Sequence, residues 1–573
     1  MRVVVAIALG LTVSSALAAP IAVSVDATLN VHPFSPLIFG VAYGDATQNA
    51  KIGYTVRRWG GNSTTRYNWM HDIHNTADDF YFENVPDSTD HAHTPPLDNS
   101  ADAFVTGARN GGAQPLIAIP TIGLKPLDNS ALDHPLTVGF SVAKYGAQED
   151  VDSQYDPNAG NGVRPDGTPI TGNSASDTSD AAPPSYEASW IAHLQSVFGT
   201  AANGGVKFYS LDNEVMLWNS THRDVHPIPP TYDEIWSKAM SYAAAIKTQE
   251  PNAQVTGPVT WGYPDLFTSA ADAASCNCFS GDDRGAHGGM PFVAWYLQQV
   301  SAHPMTGGVP LVDYLDLHYY PQDPDGASGA IYSHAEDSAT VGRRMRSLKE
   351  LYDPTWTSES WIGTVDGTDG DDVPWHYTKP NLIPRVKAWI NQYATGTKLA
   401  ITEYAWDREA TVNNVTTDTV SGGVAQAEVL GIFARENVDL ATRWEAPIAN
   451  GFSERAFRLF LNYDGAGAKV QGNSVAATTA SIDQIGAYAF HDARRLMVLL
   501  TNKDTVAHDV TVTLNAPLTA TWTLYGFDKT HDIHVVASHA MTTKTLTLTA
   551  LPAMSANMLV IPDVDEIFAN GFE

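Results

Sequence analysis

Eight short apolar runs punctuate the chain between residues 38 and 447, and most of them end in polar or aromatic residues. They are IFGVAYG (38–44), TVRRWGGN (55–62), QPLIAIPTIG (114–123), VKFYSLDNE (206–214), QVTGPVTWG (254–262), LVDYLDLHYY (311–320), KLAITEYAW (398–406) and VDLATRWEAP (438–447). Runs of this length bounded by turn residues read as buried strands. Several intervening segments carry helical spacing. In SYEASWIAHLQSVFG, Ile191, Leu194, Val197 and Phe198 share a face, and Gly199 suits the position just past a helix end. In TYDEIWSKAMSYAAAI, Thr231 and Glu234 form a capping box and Pro251 lies beyond the end. In PRVKAWINQY, Val386, Trp389, Ile390 and Tyr393 fall at i, i+3, i+4 and i+7. Strands alternating with helices predict an α/β fold, a (β/α)8 TIM barrel over 37–453.

From about Glu454 the texture changes. AFRLFLNYDG, GAYAFHDARRLMVLLTNKD, HDVTVTLNA, TATWTLYGF, HDIHVVAS, TKTLTLTAL and ANMLVIP read as short alternating strands between turns, an all-β sandwich over 454–562. The strand Ile21–Leu29, within a segment 19–36 that precedes the barrel, is expected to pair with this sandwich. Tyr145–Pro184, rich in Gly, Asp, Pro and Asn, is too long for a plain connector and falls after the third strand, on the functional face. Residues 563–573 read as a short tail.

The 573 residues suggest two or three domains. With 33 Lys and Arg against 63 Asp and Glu, the formal charge is −30, which argues against a nucleic-acid partner. Residues 1–18, MRVVVAIALGLTVSSALA, pair an apolar run with an A-x-A site and read as a signal peptide. The run is too short to span a bilayer. A secreted protein beginning at Ala19 is expected, with no membrane partner, and nothing demands more than a monomer. Cys276 and Cys278 are the two cysteines. They exclude a disulfide framework and cannot complete a zinc site. A local bridge in an oxidising compartment and two free thiols both remain open.

The fourth run ends in Asn213-Glu214 and the seventh in Glu403. Burying an unpaired carboxylate is costly, so strands seldom end this way without a reason. Strands four and seven lie on opposite sides of an eight-stranded mouth and aim two carboxylates across it. Glycoside hydrolysis needs that pair, a proton donor for the leaving oxygen and a second carboxylate at the anomeric carbon. For either Glu alone, a surface ion pair is the ordinary reading. Glu359, in TWTSESWIG, has no apolar strand leading into it and reads as a loop residue.

YSLDNEVMLWNSTHRDVHPIPPTYDE, RWGGNSTTRYNW, DLHYYPQ and AITEYAW resemble glycoside hydrolase family 44, and the resemblance runs through barrel and sandwich. It implies a retaining, endo-acting enzyme on β-1,4-linked polysaccharide, cellulose-type glucans and xyloglucan included. It makes Glu214 the acid/base, Glu403 the nucleophile and Asn213 the partner of the sugar 2-hydroxyl. No cofactor is needed for the chemistry. Some members carry structural calcium, and the acidic loop Glu149, Asp150, Asp152, Asp156 offers hard oxygen ligands for it. Metal ligands are otherwise unassigned: the histidine pairs His71/His74 and His91/His93 lack a clear third partner. A mannan- or xylan-directed hydrolase and a non-catalytic polysaccharide binder are the alternatives. A binder has no need of both glutamates.

Position and chemistry supply the supporting residues. Arg58 ends strand two and is expected to keep Glu403 ionised, although an ordinary ion pair is the competing reading. Tyr319 is expected to hydrogen-bond the same carboxylate. His318 either lines the site or fills it. Asn62 is a candidate hydroxyl partner. Trp59, Trp69, Trp261, Tyr263, Trp361 and Trp444 lie at or after strand ends, so each is a cleft wall for stacking sugar faces or a core residue.

Overall fold

The computed structural model describes residues 19–87, 99–127, 137–275, 281–323, 331–364, 377–412 and 415–562. The expected signal peptide, the tail 563–573, Cys276 and Cys278 lie outside the described residues. All eight apolar runs form strands of one closed parallel barrel. They are β1 Gly40–Ala42, β2 Val56–Trp59, β3 Gln114–Ile119, β4 Phe208–Leu211, β5 Gln254–Thr260, β6 Tyr314–Tyr319, β7 Lys398–Tyr404 and β8 Leu440–Arg443. Among the described residues no helix is long and apolar enough to cross a membrane.

Strand alternation fills the barrel in layers. Val56, Leu116, Phe208, Tyr314, Ala400 and Leu440 form an apolar floor. Two residues further along each strand come Arg58, Ala118, Ser210, Asp316, Thr402 and Thr442, joined by Thr256 from β5; all are fully buried. Branched apolar side chains usually fill this position. Here the layer is polar apart from Ala118, and Thr256, Asp316, Thr402, Thr442 and Arg58 bond within it or to the mouth above.

The short alternating runs of the C-terminal part fold as a ten-stranded sheet around its own core. Ile21–Asp26 sits inside this sheet, antiparallel to Asn473–Thr479 and parallel to His508–Leu514. One feature differs from the sequence reading. AFRLFLNYDG is mostly helix, Phe452–Leu461, and the sheet resumes only at Asn473. A short apolar run suits either period; here Phe457 and Phe460 pack on Tyr54 and Phe39 of the barrel. The helix Val420–Arg435 is buried along most of its length. Its Glu428 accepts hydrogen bonds from Tyr488, Thr501 and Lys503 of the sheet, which ties the two parts together.

Candidate active site

Glu214 follows β4 in a turn where Asp212 and Glu214 both adopt positive φ, 71° and 45°. Side chains other than glycine seldom do so, and such conformations persist where the surroundings fix them. Asp212 supplies the fixing. Its buried carboxylate accepts from Thr65, from the Thr121 amide and hydroxyl, and from the amides of Ile122 and Asn213. It thereby stitches together the loops after β2, β3 and β4.

Glu403 reaches the same point from β7. Arg58 Nη1 donates to its Oε1 at 2.5 Å and Tyr320 Oη to its Oε2 at 2.8 Å. Arg58 Nη2 donates to Asn213 Oδ1 at 2.7 Å, so one guanidinium positions the residues beside both carboxylates. Asn213 Nδ2 donates to Asn62 Oδ1 at 3.2 Å. His318 Nδ1 lies 2.9 Å from Glu214 Oε1 and 3.5 Å from Glu403 Oε2. One oxygen of each glutamate and a ring nitrogen of His318 all lie within 4.8 Å of one another. The Gly-Gly pair of RWGGN makes this possible. A Cβ on Gly60 would sit 2.3 Å from Arg58 Cζ, and Gly61, at φ +96°, would place one 2.6 Å from the Trp444 ring.

The two carboxyls have unequal surroundings. Burial, then the charge of Glu403, pushes Glu214 well above the usual carboxylate range. Burial also raises Glu403, but Arg58 and the Tyr320 hydroxyl pull it back. Glu214 thus holds a proton more readily than Glu403 does. Both open onto a cavity of about 670 Å³ that is also lined by Asn62, Asn213, Tyr320 and Trp444.

Of the remaining sequence candidates, several point elsewhere. Tyr319 does not meet Glu403; its hydroxyl donates to buried Glu350 at 2.7 Å, and the neighbour Tyr320 takes the place expected for it. Trp59 faces outward among Tyr43, Tyr67 and Phe104. Trp69 is buried and stacks on His193. Tyr263 is buried and donates to the Tyr377 carbonyl. Trp261 and Trp361 are half-buried against the core and do not line the catalytic cavity. Glu359 makes an exposed ion pair with Arg346.

The acidic loop also differs from expectation. Glu149 and Asp150 are exposed, and Asp150 accepts from Tyr81. Asp152 and Asp156 are buried instead beside Glu83, which bonds Asp152. Glu83 Oε1 and Asp156 Oδ2 have no hydrogen-bond partner. Burial and the two acids push Glu83 up to about 8. The ligand atoms of these three acids do not converge as a cation would require: among the described residues only Glu214, His318 and Glu403 bring three such atoms together, and both Asp152 oxygens already accept backbone amides. His74 bonds Asp87, and His91 and His93 lie outside the described residues.

Comparison with known proteins agrees with this geometry. The family model for glycoside hydrolase family 44 matches residues 73–323. The crystal structure of CelM2, a bifunctional glucanase-xylanase from a metagenome library, is 34% identical with a TM-score of 0.85, over 95% of this chain and 99% of that one. A family 44 endoglucanase from Clostridium acetobutylium ATCC 824 is 26% identical with a TM-score of 0.74, over 95% and 100%. A curated relative, β-mannanase/endoglucanase A of Caldicellulosiruptor saccharolyticus, is 29% identical over 513 residues, 88% of this chain but 36% of that protein. The chain thus spans about a third of that relative's length. With the barrel, the paired glutamates and these likenesses together, the chain belongs to glycoside hydrolase family 44 and is a glycoside hydrolase.

Proposed function

We propose that the protein is an exported endo-β-1,4-glucanase that cleaves cellulose-type glucans and xyloglucan with retention, by double displacement. The observation that carries this is the pair Glu214 and Glu403, with carboxyl oxygens within 4.8 Å and unequal proton affinities. Retaining enzymes hold their carboxyls about 5–5.5 Å apart, whereas inverting ones need room for a water between them. In the first step Glu403 Oε2 or Oε1 attacks the anomeric carbon, while the glycosidic bond breaks and Glu214 gives its proton to the leaving oxygen. In the second, water attacks that carbon, Glu214 takes the water's proton, and the Glu403 ester bond breaks. Asn213, which lines the cavity, is the partner for the sugar 2-hydroxyl in this reading, and Trp444, partly exposed there, offers a ring for a glucose face.

The relatives named above are described as glucanase, xylanase and mannanase, so backbone specificity is the point to test. New reducing ends should appear fastest from carboxymethylcellulose or xyloglucan, and more slowly from xylan and mannan. Proton NMR should show the β-hemiacetal first. Release of the α-anomer first would overturn retention, and faster cleavage of mannan or xylan would move the substrate. N-terminal sequencing of protein from culture medium should begin at Ala19.

Buried Glu83 gives the fold a pH-dependent stability of its own. Its carboxyl bonds Asp152 and is pushed up to about 8 from an ordinary 4.5. The stability it contributes is complete below about 4.5 and is lost as pH rises through 8. The melting temperature should therefore fall from pH 5 to 8. A Glu83→Gln variant that keeps the whole of this fall would refute the assignment.

A further inference from the structure

A chain of hydrogen bonds runs from the polar layer of the barrel up to the acid/base. Asp316 is fully buried at its foot. Thr256 Oγ1 donates to Asp316 Oδ2 at 2.5 Å, and Thr402 Oγ1 donates to Oδ1 at 2.7 Å. A hydroxyl has one hydrogen. Once Thr402 gives it to Asp316, its oxygen can only accept. The next atom along is His318 Nε2, 3.2 Å away, so that nitrogen carries the ring hydrogen. Burial, with Arg58 nearby, holds His318 neutral. A neutral ring has a single N–H. Nδ1 therefore presents a lone pair, and 2.9 Å from it is Glu214 Oε1. A lone pair facing a carboxylate makes no bond. The same contact is a good hydrogen bond when Glu214 carries the proton and donates it.

We propose that Asp316 and Thr402 are positioning residues that fix the tautomer of His318 and thereby keep the proton on Glu214 in the resting enzyme. This rests on Glu214 being the proton donor. The other groups that act on Glu214 are Glu403, Arg58, Asp265 and Asp79, and Tyr320 bonds Glu403 beside it. None of them donates to Glu214 Oε1 among the described contacts; His318 alone holds that oxygen. The arrangement also serves the second step. The lone pair of Nδ1 disfavours the Glu214 anion and so strengthens it as the base that takes a proton from water. One imidazole orientation thus favours the protonated Glu214 that begins the first step and that the second step restores.

Thr402→Val keeps the side-chain shape and removes the hydroxyl. Its His318 Nε2 hydrogen then loses its acceptor and the two tautomers approach parity. The basic limb of kcat/KM against pH, measured on xyloglucan, reports Glu214 in the free enzyme. It should move to lower pH by roughly one unit. Hydrolysis of an aryl cellobioside with a strongly acidic phenol should be spared, because its leaving group needs no proton. Thr402→Ser should restore the wild-type profile. Nitrogen-15 NMR of histidine-labelled wild-type enzyme, with His318 assigned by difference from His318→Asn, should show a bare Nδ1 and a protonated Nε2. That measurement needs no folded valine variant. A protonated Nδ1 in the wild type, or a Thr402→Val basic limb that does not move, would overturn the proposal. If Glu214→Gln lowers kcat/KM, which reports the first step, equally on xyloglucan and the aryl cellobioside, it is the assignment of Glu214 as acid that fails, not the tautomer argument.

Discussion

Glu403→Ala is expected to lower the rate on a β-1,4-glucan by about 10⁴-fold or more, and Glu214→Ala by about 10²–10⁴-fold. The asymmetry follows from the site. Glu403 forms the bond to carbon, and Tyr320 and Arg58 beside it are donors to its oxygens that cannot take over that role. Glu214 only moves a proton, so its loss matters in proportion to how badly the leaving group needs one. Azide separates the two roles. In Glu403→Ala it fits the space the carboxylate vacated and attacks the anomeric carbon from the α face, giving an α-glycosyl azide. In Glu214→Ala the ester on Glu403 still forms from an activated aryl glycoside. Azide then attacks from the opposite face and gives the β-glycosyl azide. Mass and NMR of the two products decide it. The same anomer from both variants, or either variant near wild-type rate on glucan, would mean that these side chains do not have these roles.

Much of this was legible in the sequence because the barrel repeats one rule eight times. Each strand is a short apolar run, and a strand that ends in Glu has to justify a buried charge. The errors share a physical cause. Successive residues on a strand face opposite ways. Arg58 and Trp59 are both site candidates in the sequence, Trp59 with a core reading beside it, yet only one of two neighbours here points inward; Arg58 does, and Trp59 packs outward on Phe104. His318 and Tyr319 conflict in the same way, whereas Asp316, His318 and Tyr320 share a face. Applying the period of two from His318 would have found Tyr320, and from Arg58 it would have exposed the polar layer. Other features carry no such signal. Glu83 lies some seventy residues before Asp152, and only the folded loops bring them together. The helix Phe452–Leu461 was unreadable as such because its apolar residues fit both periods.

Arg58→Met should cost activity by about 10²-fold or more, and it should move the acid limb of the pH–rate profile upward by at least about one unit. Arg58 has no exposed surface, and its two terminal nitrogens hold Glu403 and Asn213 at once. Burial raises the Glu403 carboxyl, and Arg58 is the first influence that opposes it. With the cation gone, Tyr320 remains as a donor, but the anion is no longer balanced. Glu403 then holds a proton at pH values where the wild type is ionised, and a protonated carboxyl does not attack. The sign is fixed: a nucleophile whose pKa rises is lost from the acid side first. Removing one member of a buried ion pair costs about 3–5 kcal/mol when the remaining charge persists. Here Glu403 can neutralise, so the loss of stability should be smallest at low pH and grow as pH rises. Arg58→Lys keeps the charge but cannot bridge both partners. It should hold the acid limb near its wild-type position while weakening binding through Asn213. Gly60→Ala gives an independent route to the same state, because its Cβ would occupy the guanidinium's place at 2.3 Å. That variant should reproduce the upward shift of the acid limb with Arg58 still in the chain. An unmoved acid limb in both Arg58→Met and Gly60→Ala would show that the ionisation of Glu403 is governed by something other than this contact.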